Sequence, residues 1–575
     1  MPEIFAHISP AWALMLSGLL CMLSPSHHVR KALMIAAPVV AFLLFVAPST
    51  LGVSGGTFEM MGIEFSTYRL DRLSYPFGLI FIIAVFLNGI YALHERNRLT
   101  DSAAQFYAGS ALGAVFAGDM LTLFVFWEIT AISSVFLIWA NGTSASIAAG
   151  MRYLAIHVLS GVLLMAGALV LWGDTGSLAF NNIGLDVGLA GWLIFIGIGI
   201  KAAFPFLHNW LQDSYPNATV TGAVVLSAFT TKMAIYALAR GFAGEEILVW
   251  IGAIMTVFPV FFAVVENDLR KVLAYSLNNQ LGFMVCAVGV GTALAINGAA
   301  AHAFAHIIYK ALLFMGMGAV LHRAGTVKAS ELGGLFRSMP YTTVFTIIGA
   351  LSISAFPFLS GFVAKAMTMS ATAQEGYIIP WLMLLFASAG VLEHSGIKIP
   401  YFAFFSHDSK RRPAEAPFNM LVAMGIASAL CIFLAWPFGG YQWLYSILPN
   451  DLGYNPYTAD HVLTQYQLLI AATAAFVILR MSGLYPSERR GTILDFDWIY
   501  RKFGYGVVRW LTAMLGRLGG HAEHGMEARS RLWNKRMQAV FHPAGALSRA
   551  VPSGSLAIWT TVLLAIALII AYRAG

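Results

Sequence analysis

Apolar runs of bilayer length follow one another along nearly the whole chain, parted by short polar turns. A spanning helix takes about 20 apolar residues. On that measure the runs fall near 4–23, 32–48, 74–93, 104–118, 120–140, 149–172, 187–208 and 219–240, then near 247–265, 271–291, 296–321, 341–374, 379–404, 418–437, 464–480 and 554–573. They predict an all-α, polytopic integral membrane protein of about 14–16 transmembrane helices. Its expected parts are the first three spans (1–98), two consecutive five-helix units (99–245 and 246–405), additional spans (406–480), a polar stretch (481–552) and a last span (553–575). Met1–Pro10 holds Glu3 and no Lys or Arg, so it lacks the basic start of a secretory signal and is expected to stay in place as part of span one.

Loop charge orients the spans, because Lys and Arg gather on the cytoplasmic side. Basic groups follow odd-numbered spans: Arg30-Lys31, Arg96 and Arg98, Arg270-Lys271, Arg323 and Lys328, Lys410-Arg411-Arg412, and Arg489-Arg490. Acidic residues follow even-numbered ones: Asp174 and Asp186, Glu245-Glu246, Glu375, and Asp451 with Asp460. The N-terminus is therefore expected outside a bacterial inner (plasma) membrane.

Composition excludes a soluble globule: 59% of the 575 residues are hydrophobic and 11% charged, against about 25% in soluble domains. Cys21, Cys286 and Cys431 stand far apart, which leaves no basis for a zinc site, an iron–sulfur cluster or a disulfide framework. No glycine-rich nucleotide loop appears in a strand-to-helix setting. No cofactor and no metal are expected, nor a redox active site of the chain's own. Residues 481–552 hold eleven basic and five acidic residues, and their +6 supplies nearly all of the net +7. With Trp498, Tyr500, Trp510 and Trp533 interleaved, the stretch suits an amphipathic helix on the cytoplasmic face beside anionic lipids rather than a nucleic-acid surface. Gly519-Gly520 and Pro543 argue against one unbroken helix.

Charges inside the spans call for a function, since each costs several kcal/mol near mid-bilayer. Glu128 falls in span 5, Lys201 in span 7, Lys232 in span 8, His302, His306 and Lys310 in span 11, Lys365 in span 12, and Glu393, His394 and Lys398 in span 13. Any one alone is equally well a structural ion pair or a snorkelling helix end. Together, carboxylates, amines and imidazoles offer proton donors and acceptors along the membrane plane, which favours ion translocation. His302, His306 and Lys310 recur every fourth residue and share a helix face. A proton relay, a buried packing cluster and haem ligation compete there; two histidines on adjacent turns cannot take opposite sides of one haem. The tetrapeptides Phe204-Pro205-Phe206-Leu207 and Phe356-Pro357-Phe358-Leu359 break spans 7 and 12, each near a lysine. If spans 4–8 and 9–13 form two units, the odd count inverts the second, and paired broken helices point to transport sites.

These motifs carry a resemblance. FVFWEIT around Glu128, KAAFPFLHNWLQDSYPNATVTGAVVLSAFTTKMAIYALAR from Lys201, ENDLRKVLAYSLNNQLGF from Glu266, HAFAHIIYKALLFMGMGAVLH from His302 and FPFLSGFVAK from Phe356 resemble the antiporter-like subunits shared by respiratory complex I and the multisubunit sodium/proton (Mrp) antiporters. The similarity covers roughly residues 100–370. It implies that Glu128 and Lys201 are the charged pair of a first half-channel (99–245), Lys232 the link to the centre, His302, His306 and Lys310 the relay of a second half-channel (246–405), and Lys365 its terminal lysine. Gln212-Asp213, Asn217-Ala218 and Asn278-Asn279 depart from the family's usual residues, and the long tail departs from the D-type antiporter chain.

Three functions follow as expectations. The first is the proton-translocating subunit of a multisubunit cation (Na+)/proton antiporter. The second is a pumping subunit of a complex I-like NADH:quinone oxidoreductase or membrane-bound hydrogenase, which would make the chain a translocase subunit. The third is a membrane partner of another transport complex, such as one for inorganic-carbon uptake. The first two imply other membrane subunits as partners and protons, with Na+ in the first, as cargo.

Overall fold

The structure, a computed structural model, describes residues 7–48, 51–60, 62–486, 491, 493–518, 533, 535 and 558–567. Helices α1 (Ala11–Leu23), α2 (His27–Phe45) and α3 (Ser74–Tyr91) come first. Between α2 and α3 lies an element outside the expected set, an antiparallel hairpin of β1 (Val53–Met60) and β2 (Ile63–Leu70), paired in the register Val53↔Leu70 and Thr57↔Ser66. It is pinned to the turn after the fourth span: Ser66 N donates to Asp119 Oδ2 at 2.9 Å and Gly118 N to Ser66 O at 2.8 Å.

The first five-span unit contains α4 (Arg98–Val115), α5 (Met120–Trp139), α6 (Ser144–Thr175), α7 (Leu189–Lys201), α8 (Asn209–Ser214), α9 (Val220–Ala228) and α10 (Thr230–Gly241). The second contains α11 (Glu246–Val265), α12 (Leu269–Val290), α13 (Ala293–Ala324), α14 (Pro340–Ile353), α15 (Ser360–Gln374) and α16 (Ile378–Val391), which runs through π-turns into α17 (Lys398–Pro400). Then follow α18 (Phe418–Phe433), α19 (Gly440–Ser446), α20 (Ala459–Met481), α21 (Tyr505–Leu518) and α22 (Ile558–Ala567). Most of the basic stretch beyond Leu518, including Gly519-Gly520 and Pro543, lies outside the described residues, as do the ends of the sixteenth span.

Among the described residues, nine helices are long and apolar enough to cross a membrane. Polarity is reversed relative to a water-soluble fold. Leu16, Leu19, Val39 and Leu43 point outward, while Lys201, Lys232 and Lys310 are wholly buried. Three of the loop-region basic residues turn inward too. Arg30 and Lys31, in the first turn of α2, reach the buried Asp101 at 3.0 and 2.5 Å, and Arg270 donates to the carbonyls of Tyr215, Ala218 and Thr219.

The two units repeat each other at a spacing of 149 residues. Asp119 caps α5 and Asp268 caps α12; Asp119 bridges to Ala179 and Asp268 to Lys328. Helices α6 and α13 each have 32 residues, a threonine N-cap (Thr143, Thr292) and a left-handed glycine at the C-cap (Gly176, Gly325). The breaks match at a spacing of 152. Ala203 and Phe206 have φ of 60° and 69°, and Ala355 and Phe358 have 57° and 71°. In each break the first alanine donates three residues back, the next phenylalanine five back and the leucine to that phenylalanine's carbonyl. Proline removes the amide that would continue the helix, and the chain turns through two left-handed residues instead.

Candidate functional site

In the first unit, α5, α6 and α7 are tied together at one level. Trp127 Nε1 donates to Ser160 Oγ at 2.9 Å, and Ser160 Oγ donates to Gly197 O at 2.6 Å. Lys201, in the last turn of α7, donates its ammonium to Trp127 O at 2.5 Å and lies 4.5 Å from the centre of the Trp127 ring. The sequence led to an ion pair between Lys201 and Glu128. The structure places the ammonium on the carbonyl of the residue next to Glu128, close enough for the two charges to interact; among the described residues they form no direct ion pair, and the buried carboxylate Oε1 has no hydrogen-bond partner. Gly161 makes room for that carboxylate, since a Cβ there would collide with Oε1.

Span 8 is kinked between α9 and α10. The Tyr107 hydroxyl of α4 accepts from Thr230 N at 3.0 Å where the helix restarts, and Lys232 donates to Ser227 O at 2.6 Å across the kink. Lys232 is fully buried and, among the described residues, forms no ion pair.

On α13 the expected row is present and wholly buried. His302 Nε2 meets Gln280 Oε1 at 3.2 Å and the Tyr309 hydroxyl at 3.0 Å. Among the described residues, both ring nitrogens of His306 and the ammonium of Lys310 have no hydrogen-bond partner. Lys365, on α15, donates back across the break to Ile353 O at 2.8 Å, at the carbonyl end of α14 where the helix dipole favours a cation. Phe283 links the lysine to the row, with its ring 5.1 Å from Lys365 Nζ and 5.8 Å from the His302 ring. From Lys365 a cavity of about 330 Å³ runs past Ser370 to Asp460 and His461 at the start of α20.

Two groups of site residues escaped the sequence reading. Gln280 and Tyr309 join His302 in one hydrogen-bonded triangle. His157 is fully buried with neither ring nitrogen bonded, packed between Tyr153 at 4.1 Å and Trp210 at 4.4 Å. At the 149-residue spacing His157 matches His306 and Gly161 matches Lys310, so the repeat was the signal that would have found it. In span 13, Lys398 donates to the carbonyls of Val264 and Glu266 at the end of α11, and the Tyr485 hydroxyl donates to Glu393 at 2.5 Å. Among the described residues no group of three His, Cys, Asp or Glu could hold a metal ion.

The fold and its buried cations define a multi-pass membrane protein with two matching broken-helix units. Residues 117–393 match the profile of the family described as "NADH:quinone oxidoreductase/Mrp antiporter, TM". Hydrogenase-4 component B of Escherichia coli (strain K12) is 30% identical over 64% of this chain, which spans 62% of that relative's length. The D-type chain of the Na(+)/H(+) antiporter of Alkalihalophilus pseudofirmus (strain ATCC BAA-2126 / JCM 17055 / OF4) is 28% identical over 70% of this chain and 87% of its own. In fold, the chain matches one from the membrane-bound sulfane sulfur reductase, an archaeal respiratory membrane complex, with a TM-score of 0.71 at 20% identity, covering 97% of this chain and 99% of that one. These findings support a membrane subunit that translocates cations or protons.

Proposed function

We propose that this chain is the proton-translocating subunit of a multisubunit cation/proton antiporter in a bacterial plasma membrane, with its N-terminus outside. The observation that carries this reading is the series of buried basic groups, Lys201, Lys232, His306, Lys310 and Lys365, set across two matching units, with Glu128 near Lys201 and, among the described residues, no direct ion pair on any of them. A structural scaffold would neutralise such groups, whereas a relay needs them ready to give up a proton.

Residues 99–245 and 246–405 act as half-channels. A proton held on Lys201 when Glu128 pairs with it is released when the ammonium shifts to Trp127 O, the arrangement seen here. It then moves by way of Lys232 to the His302, His306 and Lys310 row, with His157 beside the first step. Lys365 exchanges it with the outer face through the cavity ending at Asp460 and His461. Na+ is the exchanged cation, other membrane subunits complete the complex, and anionic lipids line 481–552. Glu128→Gln or Lys201→Ala abolishes coupled proton movement in vesicles carrying the assembled complex; normal movement in either variant refutes the relay.

The similarity to hydrogenase-4 component B favours a second reading, in which the same relay is driven by electron transfer in partner subunits. Purifying the native complex in mild detergent separates the two. Small multi-pass partners support exchange; flavin, iron–sulfur or nickel subunits support a redox-driven pump.

A further inference from the structure

Asp495 lies fourteen residues beyond α20, in the stretch that supplies most of the net charge, yet its side chain is only 3% exposed. Its Oδ2 lies 3.3 Å from His208 Nε2 and accepts from the Tyr275 hydroxyl at 2.9 Å, and both partners are buried. His208 directly follows the first break, and Tyr275 belongs to α12, so one carboxylate from the tail joins the two units where the first helix is interrupted. The Phe496 ring covers the spot, 4.5 Å from Phe206, 6.0 Å from His208 and 6.3 Å from Phe258. Arg501 latches the segment, donating to Asp213 at 3.1 Å and pairing with Asp497 at 3.2 Å.

Burying a carboxylate is costly unless it is bonded, and a neutral side chain would dock this segment at less expense. The other charged groups facing the pair are matched among themselves: Glu266 with Lys271, Asp213 with Arg152 and Arg501, and Asp497 with Arg501. His208 is left to Asp495, and its Nδ1 is buried with no hydrogen-bond partner, as are both polar atoms of the Gln212 side chain on α8. The imidazole thus has one nitrogen on the carboxylate and the other turned into the protein, the arrangement a proton carrier requires.

We propose that Asp495 and His208 form a proton-transfer pair at the first break, through which protons pass between the cytoplasmic face and the first unit. This rests on the relay reading above. A proton arriving from the face forms an O–H bond at Asp495 Oδ2. That bond breaks as N–H forms at His208 Nε2, leaving carboxylate and imidazolium. The imidazolium releases its Nδ1 proton inward, and a half-turn of the ring then turns the remaining N–H inward and presents the bare nitrogen to Asp495 for the next proton. No electrons are exchanged.

The test compares D495N, H208Q, D495E and K201A in vesicles of the intact complex, with proton flux measured per assembled complex from pH 5.5 to 8.5. D495N and H208Q are expected to lower flux at least about tenfold, equivalent to 1.4 kcal/mol on the barrier. D495E is expected to keep most of the flux with a displaced pH profile. Full flux and an unchanged profile in D495N, with K201A inactive, overturn the pair and leave the relay standing; full flux in K201A overturns the relay itself. Should D495N fail to assemble, D495E decides, and an unchanged pH profile there refutes the proposal.

Discussion

The two broken helices share a backbone and differ in almost everything that touches it. Both use Ala-Phe-Pro-Phe-Leu with the alanine and second phenylalanine left-handed. At the first break the lysine precedes the interruption and reaches out to α5. At the second it follows the interruption and reaches back to Ile353, which at the 152-residue spacing is the position of Lys201 itself. The first break is covered by Phe496 of the tail, the second by Tyr457 just before α20 and by Gln465 and Tyr466 within it. A duplicated frame has thus been given two chemistries by what was placed around it.

The largest expected effect comes from filling the space beside Glu128 in the first unit. Gly161→Val drives a side chain into the position of the Glu128 carboxylate, and proton flux should fall at least about tenfold, as for loss of a group engaged in the barrier-crossing step. Flux at the wild-type level would mean that Glu128 has no part in the transfer. Next in size, Ala203→Val and Ala355→Val each put a β-branched residue at positive φ in a buried position, at a cost of about 1–3 kcal/mol each beyond alanine. Thermal unfolding in detergent should show equal losses; clearly unequal losses would break the equivalence of the two frames.

Smaller still is Gln465→Leu, which removes the bond from Nε2 to Ser354 O at 3.2 Å. It should cost about 1 kcal/mol and speed amide exchange at 354–359 while leaving 202–207 unchanged. The last expectation concerns pH. Burial alone would raise the Asp495 carboxyl, but the hydrogen bond and charge of His208, the Phe496 amide and the Tyr275 hydroxyl outweigh it and hold it below the ordinary carboxylate range. Its contribution is therefore fully present above the unfolded value of about 3.9 and is lost as pH falls through the lowered folded value. Amide exchange in 493–499, corrected for intrinsic rates, should stay slow at neutral pH and rise only in strong acid; release already near pH 6 would contradict this.

Much of this contrast was legible in the sequence. The apolar runs gave the helices, because lipid demands long uninterrupted apolar segments, and the repeated FPFL marked both breaks. The every-fourth-residue spacing placed His302, His306 and Lys310 on one face. The hairpin Val53–Leu70 was hidden, since a ruler of bilayer length passes over two eight-residue strands. Lys201 settling on a backbone carbonyl was equally hidden, because carbonyls carry no sequence signal. Asp495 was obscured for a different reason: in a stretch rich in arginine, one aspartate reads as a solvated charge until folding brings it to His208.

The residues that turn the chain at each break are alanine and phenylalanine where glycine would relax without cost. A glycine joint swings freely, whereas a Cβ in the left-handed region confines the backbone to a narrow well. The interrupted spans are therefore stiff brackets rather than hinges. On the relay reading proposed above, the moving parts are lysine arms and imidazole rings rather than the backbone of the two breaks.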